Sequence, residues 1–444
     1  MRKGLLRLLI VALVTWFGLL SCFTMATAAA DDKGAESSSG EPSSSFSSDP
    51  EDPGQMLNII QERRAQKEAL FPVSPLKPLH DGTGKMWDSI YQATHIKMGL
   101  TFNHLFQWAS DVLPGTDDWG TDTDMDLVAA WELINRGKPT MGQLYFHLEG
   151  RWDYGTTGPQ TIGFSNVAAA GGTANAFSEY VPTFLIRNLY WQQGSPQSKW
   201  AYRIGKITTD SILATSQHIT PVTTFLPNAG TGLFVSGYCD SGLGVVGVWH
   251  YNERFKILGL VADSNGDRYD FGDISAGDFY TAIELGLKIA PRTKKAGFSK
   301  LTVWHTDGTE DGQPINANTG LDGWGITLKL EHELTDDGQT VGVIRWGKSF
   351  DGAAIYDNQA GVHLLFYDPF GTARMKNDLI GIAGNWVDSA FAGTREEYNV
   401  EVFYRFPLFP SLDTRLSYQY VIDPAYNTEF DNASVFSLGF RTVF

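Results

Sequence analysis

The chain has 444 residues, of which 13% are aromatic and 47 are glycine, and a formal net charge of −16. That acidity excludes nucleic acid as a natural partner. Beyond residue 30, no stretch stays apolar for long enough to cross a membrane as a helix.

Residues 1–30 have the form of a secretory signal peptide. Arg2, Lys3 and Arg7 precede an apolar run from Leu8 to Leu20, and Ala28-Ala29-Ala30 leads into Asp31. Leu19-Leu20-Ser21-Cys22 offers a competing, lipoprotein-type cut. Cleavage after Ala30 is the preferred reading, because a barrel anchor makes a lipid unnecessary; it leaves Cys239 without a disulfide partner. An exported, aromatic-rich chain with no spanning helix is either soluble or crosses a membrane as a closed barrel.

Residues 31–92 are expected to form a disordered linker with one short helix. The stretch 31–53 is rich in Ser, Asp, Glu and Pro. From Gln55 to Leu70, Met56, Leu57, Ile60 and Leu70 share one side, and Pro72, Pro75 and Pro78 end the helix. The plain reading is a periplasmic tether.

From residue 93 to 444, apolar and polar residues alternate in short runs with a period of two. Ile96, Met98, Leu100 and Phe102 alternate with Lys97, Gly99, Thr101 and Asn103. Tyr398, Val400, Val402, Tyr404 and Phe406 alternate with Glu397, Asn399, Glu401, Phe403 and Arg405. Sixteen strands are predicted, near 94–108, 124–136, 141–153, 182–192, 199–207, 244–252, 255–263, 278–290, 299–306, 323–334, 339–349, 358–368, 378–388, 396–406, 412–421 and 434–444. Short connections such as Lys138-Pro139-Thr140 alternate with long ones such as 154–181 and 208–243. The lengths of 350–357 and 369–377 barely differ, and 231–238 is a candidate extra strand. The last strand puts Phe436, Leu438, Phe440, Thr442 and Phe444 on one face, and Val435, Ser437, Gly439, Arg441 and Val443 on the other. One face suits lipid and the other a wet lumen. The expected fold is therefore all-β: a transmembrane antiparallel up-and-down barrel of about sixteen strands, with both termini on the periplasmic, short-turn side.

The longest connection, 208–243, is apolar and glycine-rich for an external loop. Folding it into the lumen would bury it and narrow the pore.

Leu189-Tyr190-Trp191-Gln192-Gln193, Tyr202-Arg203-Ile204-Gly205-Lys206 leading into Thr208-Thr209-Asp210-Ser211, and Phe225-Leu226-Pro227-Asn228 follow in order. With Asn399 to Phe406 and Leu416 to Pro424, they resemble the carbohydrate-selective porins of the OprB type, over roughly residues 85 to 444. The resemblance implies a sixteen-stranded outer-membrane barrel that passes sugars by diffusion through a pore narrowed by inward loops. The long amino-terminal extension departs from that pattern. Implied partners are mono- or oligosaccharides and outer-membrane lipid, with the chain a monomer or a homotrimer; no cofactor and no metal are implied.

A weakly selective sugar pore needs bidentate donors, carboxylate acceptors and aromatic faces. On the inferred inner face the candidates are Glu149, Arg151, Arg203, Arg345, Glu401, Arg405 and Arg415, with Trp304 as a stacking surface. Arg187 fits poorly, since turning it inward puts Asn188 outward.

Catalytic and metal motifs fail on inspection. His332-Glu333 lacks a second His at the metalloprotease spacing. Asp263 to Asp267 begins like a calcium loop, but Arg268 stands where Gly is needed. Asp117, Asp118, Asp122, Asp124 and Asp126 are read as a solvated turn. The expected function is an outer-membrane porin, not an enzyme. The alternatives are a barrel enzyme using His305 or His218, and a structural barrel tethering the envelope through residues 31–80.

Overall fold

The structure, a computed structural model, describes residues 45–65, 68–155, 157–177, 183–293, 296–372 and 377–444. The proposed signal peptide and the first part of the linker, up to residue 44, lie outside the described residues.

Sixteen antiparallel strands form one closed barrel, each paired with its sequence neighbour and β1 paired with β16. They are β1 Ile96–Ala109, β2 Trp119–Ile134, β3 Gly142–Asp153, β4 Thr183–Gln193, β5 Trp200–Ile207, β6 Gly242–His250, β7 Phe255–Asp263 and β8 Phe279–Leu287, followed by β9 Ser299–Thr306, β10 Gly323–Glu333, β11 Thr340–Phe350, β12 Tyr356–Tyr367, β13 Leu379–Ser389, β14 Glu397–Phe409, β15 Leu412–Ile422 and β16 Asn432–Val443. Closure gives every strand a neighbour on both sides, which is what allows an extended chain to sit in hydrocarbon.

The alternation read from sequence has its physical counterpart here. On β16, Val435, Ser437, Arg441 and Val443 are buried toward the interior, while Phe436 on the opposite face is exposed. Aromatic rings mark both rims of the outer surface. Trp108, Trp119 and Trp324 are exposed beside the long loops, and Trp131, Trp200 and Tyr251 beside the short turns. Two such girdles suit the two membrane–water interfaces. The β1–β16 seam runs from Thr101 opposite Val443 to Ala109 opposite Val435, and Phe444 continues it by exchanging backbone hydrogen bonds with Leu100.

The connections alternate as expected over most of the barrel. At the ambiguous pair the lengths invert: 351–355 on the long-loop side is shorter than 368–378 on the short-turn side. The candidate extra strand at 231–238 is instead loop with brief helical turns at Asn228–Thr231 and Phe234–Ser236.

The linker differs from expectation. Within the described residues, 45–92 contains two helices, α1 (Pro53–Ala65) and α2 (Lys77–Thr94). The apolar side of α1, with Met56, Leu57 and Ile60, is buried inside the barrel. Pro78 does not block α2, because it sits in the first turn, where no N–H is needed. His95 ends α2 in a left-handed conformation, its N–H bonded to the Tyr91 carbonyl at 2.8 Å. On α2, His80 packs 4.6 Å from the Phe444 ring, and the Tyr91 hydroxyl donates to Glu132 at 3.2 Å. The helix therefore lies against the short-turn rim.

Candidate channel constriction

Three segments enter the lumen: the long loop 208–241, part of loop 157–177, and the amino-terminal residues 45–65. Each brings backbone polar groups into a confined space, and each is met by charged side chains from the wall.

Loop 208–241 is held mainly by the far wall, β11 to β15. Arg415 Nη1 donates to the carbonyls of Pro221 (3.0 Å) and Thr224 (2.7 Å). Arg405 donates to the Thr223 carbonyl at 3.2 Å, and Arg345 to that of Gly230 at 2.7 Å. Glu401 accepts the Leu226 N–H at 3.0 Å and the Ser417 hydroxyl at 2.6 Å. Phe225 is fully buried, with the rings of His363 and Phe403 each 4.9 Å away. Beneath the loop, Lys329 donates to the Thr215 carbonyl at 2.7 Å, and Lys300 to its hydroxyl at 2.8 Å. Loop 157–177 is held in the same way: Glu397 accepts the N–H groups of Ala170 (2.7 Å) and Gly171 (2.8 Å).

The near wall, β2 to β4, carries charge against charge. Arg151 pairs with Glu149 and lies 3.5 Å from Asp124. Arg187 bridges Glu149 (3.3 Å) and Asp210 of the loop (3.8 Å). His147 Nε2 is 2.9 Å from Asp126 and its Nδ1 is 3.2 Å from Asn188. Between this wall and the loop lies a cavity of about 840 Å³, open water at its mouth included. Asp124, Glu149, Arg151, Arg187, Asp210 and Arg345 line it, together with Asp49 and Glu51 of the amino-terminal segment. Burial holds the carboxyls of Asp49, Glu51 and Asp210 above the usual carboxylate range.

Arg187 is no longer awkward. The β3–β4 register slips between His147 and Leu148, which pair with Asn188 and Ile186, so Arg187 is the extra residue of a bulge. Arg187 and Asn188 can then both serve the lumen. The aspartates read as a solvated turn need correction: β2 begins at Trp119, and Asp122, Asp124 and Asp126 are buried on its inner face. Their own spacing of two was the available signal.

Arg203, on β5, is buried and faces the amino-terminal segment. Its Nη1 and Nη2 contact the two oxygens of Asp52 at 2.6 and 3.0 Å, and its Nε donates to Gln192 at 2.8 Å. The guanidinium lies between two rings, 4.6 Å from the centroid of Phe46 and 4.6 Å from that of Tyr190. Trp304 is placed differently from the sequence expectation. Only 1% of it is exposed; it stacks on Tyr280 at 5.9 Å, and a Cβ added at Gly237 would come within 2.9 Å of it. Its face is covered by protein.

Sequence reasoning set Arg187 aside, misread the β2 aspartates as a turn, and missed the lysines under the loop and residues 46–52. A Ser- and Asp-rich stretch carries no periodic signal that would place it inside a barrel.

The family model of the carbohydrate-selective porins, OprB family, matches residues 144–444. No curated protein matches the chain. Among solved structures, the high-pH structure of Pseudomonas putida OprB superposes with a TM-score of 0.64 at 13% identity, covering 82% of this chain and 97% of that one. The low-pH structure of the same protein gives 0.49 at 11% identity, covering 82% and 96%. A triple mutant of the Rhodopseudomonas blastica porin gives 0.44 at 13% identity, covering 79% and 100%. The first of these shares the barrel fold. The segment 45–65 lies outside the residues matched by the family model.

Proposed function

Because the chain belongs to the OprB family of carbohydrate-selective porins, we propose that it is an outer-membrane channel through which small carbohydrates diffuse passively. The observation that carries this reading is the pairing of a closed barrel, ringed by aromatics outside, with a loop held across its lumen by wall arginines and glutamates. A pore built this way is water-filled and narrow at one level, where fixed donors and acceptors meet the solute.

The residues proposed to meet sugar are four of those on the cavity: Glu149, Arg151, Arg187 and Asp210. Ring hydroxyls suit their charge-assisted hydrogen bonds, and these pairs can exchange partners as a sugar passes. Arg345, Glu401, Arg405 and Arg415 are proposed to act one step back, by fixing the loop. Both chain ends of the barrel are proposed to face the periplasm, a reading supported by the short turns and the entry into β1 sharing one rim; monomer and homotrimer both suit it. Single-channel recording in planar bilayers is the test. The reading requires an open channel whose current is partly blocked by millimolar to molar sugar, and a protein that folds into bilayers without conducting would overturn it.

A further inference from the structure

Arg203 already holds a ligand, and that ligand is part of the chain. The Asp52 carboxylate stands where a free carboxylate would stand, gripped by both terminal nitrogens of the guanidinium at 2.6 and 3.0 Å. Such a fork-to-fork pairing is specific for carboxylate-like groups. The site is built, since Gln192 fixes the guanidinium through Nε and the Tyr190 ring supports its face.

A second feature points to a ligand other than Asp52. The Tyr190 hydroxyl is buried, with the residue 1% exposed, and has no hydrogen-bond partner. A buried hydroxyl left unsatisfied is costly, so its presence beside a carboxylate clamp calls for a partner that the folded chain does not supply. Tyr145 stacks on the same ring at 5.2 Å, adding an aromatic wall. A carboxylate grip, an idle hydroxyl and aromatic faces together fit a sugar that carries both a carboxylate and ring hydroxyls.

The way in which Asp52 arrives matters as well. Residues 45–65 form a re-entrant hairpin whose two ends lie near short turns. At one end the Ser45 carbonyl accepts from Lys256, close to the 251–254 turn, and at the other Arg63 pairs with Asp413, close to the 410–411 turn. Its tip reaches Ser211, Thr215 and Thr220 of the inward loop through Ser47, Ser48 and Glu51. Withdrawal toward the short-turn side would release the tip without unthreading a strand.

We propose that Arg203, Tyr190 and Gln192 form a binding site for acidic sugars such as a uronate, and that Asp52 occupies it in competition with them. This rests on the carbohydrate-channel reading and names a substrate class for it. A ligand that displaces Asp52 gains only what remains after the hairpin has been removed, so its apparent affinity is lowered by the fraction of chains with the site free.

Calorimetric titration of the detergent-solubilised full chain with sodium D-glucuronate and, separately, D-glucose tests this. Asp52→Asn keeps the side-chain shape and removes the competing charge. It should tighten glucuronate binding by about tenfold or more while leaving glucose little changed. Adding Arg203→Gln to that variant should abolish the gain, and adding Tyr190→Phe, which keeps the ring, should weaken glucuronate by about three- to tenfold. Equal affinities for the two sugars in Asp52→Asn, or glucuronate binding untouched by both Arg203→Gln and Tyr190→Phe, would overturn the site. Bilayer recording of the same Asp52→Asn protein separates the two claims: specific glucuronate binding without any conductance removes the channel reading, whereas conductance without discrimination removes the acidic-sugar site.

Discussion

The near wall, β2 to β4, and the far wall, β11 to β15, show the same rhythm of charged and apolar residues, yet they use their charges differently. On the near wall, Asp124, Glu149, Arg151 and Arg187 are paired with one another beside a cavity. On the far wall, Arg345, Glu401, Arg405 and Arg415 are directed at backbone groups of loop 208–241. A charge on the inner face of a barrel is therefore defined by what the loops bring to it. Where a loop backbone arrives, the charge becomes a clamp; where none arrives, it is left facing the cavity.

The sharpest way to break this comparison is to remove a clamp. Arg415→Met leaves the carbonyls of Pro221 and Thr224 without their donor. A buried carbonyl stripped of its partner costs about 1–3 kcal/mol, so the loop should detach from the wall before the barrel unfolds. The expected result is a larger and noisier single-channel conductance with weakened sugar block. An unchanged conductance would mean that the loop is held elsewhere.

The next largest effect belongs to the near wall. Arg187→Gln removes the cation that bridges Glu149 and Asp210, an interaction worth about 1.5–3 kcal/mol for a charge-assisted bond. The cavity then has a carboxylate excess, and reversal potentials in a salt gradient should move toward cation selectivity. Arg405→Gln removes the same unit of charge but should move them much less, because Arg405 does not line that cavity. Equal shifts from the two substitutions would erase the distinction between the walls.

The strands were legible because period-two alternation, once wrapped into a barrel, decides nearly every side chain's environment. The inward turn of loop 208–241 was legible from its apolar composition, since Phe225 and Leu226 would be poorly placed in solvent. What stayed hidden depended on local breaks in that rule. The bulge at Arg187 shifts register by one residue and leaves no composition signal. Asp122, Asp124 and Asp126 looked like a turn because three acids so close together suggest water, whereas the opposite wall of the pair supplies Arg151 and His147. The amino-terminal segment was the largest miss. Its burial depends on cavities that exist only after the barrel has closed, so its own sequence reads as linker.

A smaller effect follows from acidity at the cavity. Burial raises the Asp210 carboxyl above the usual carboxylate range, so the folded protein favours its neutral form. Its contribution to stability is present at low pH and is lost as pH rises through the raised value. For permeation the sign is the reverse of Arg187→Gln. As pH falls, Asp210 loses its charge earlier than an ordinary carboxylate, Arg187 is left in excess, and selectivity should shift toward anions. Asp210→Asn should already show that shift at neutral pH and change less on acidification. If its pH dependence matched that of the native chain, another group would be responsible.

The smallest effect is expected at Trp304, and its smallness is informative. The ring is buried against Tyr280 and Gly237, and its indole N–H has no hydrogen-bond partner. Trp304→Phe keeps an aromatic stack and removes that idle donor, which offsets part of the packing lost, so a net change of about 1 kcal/mol or less is expected. Thermal unfolding followed by tryptophan-independent circular dichroism should register that change, while sugar block stays as in the native chain. Were sugar block to fall instead, with stability intact, the indole would have to reach the lumen, and β9, which belongs to neither wall, would be handling solute as well.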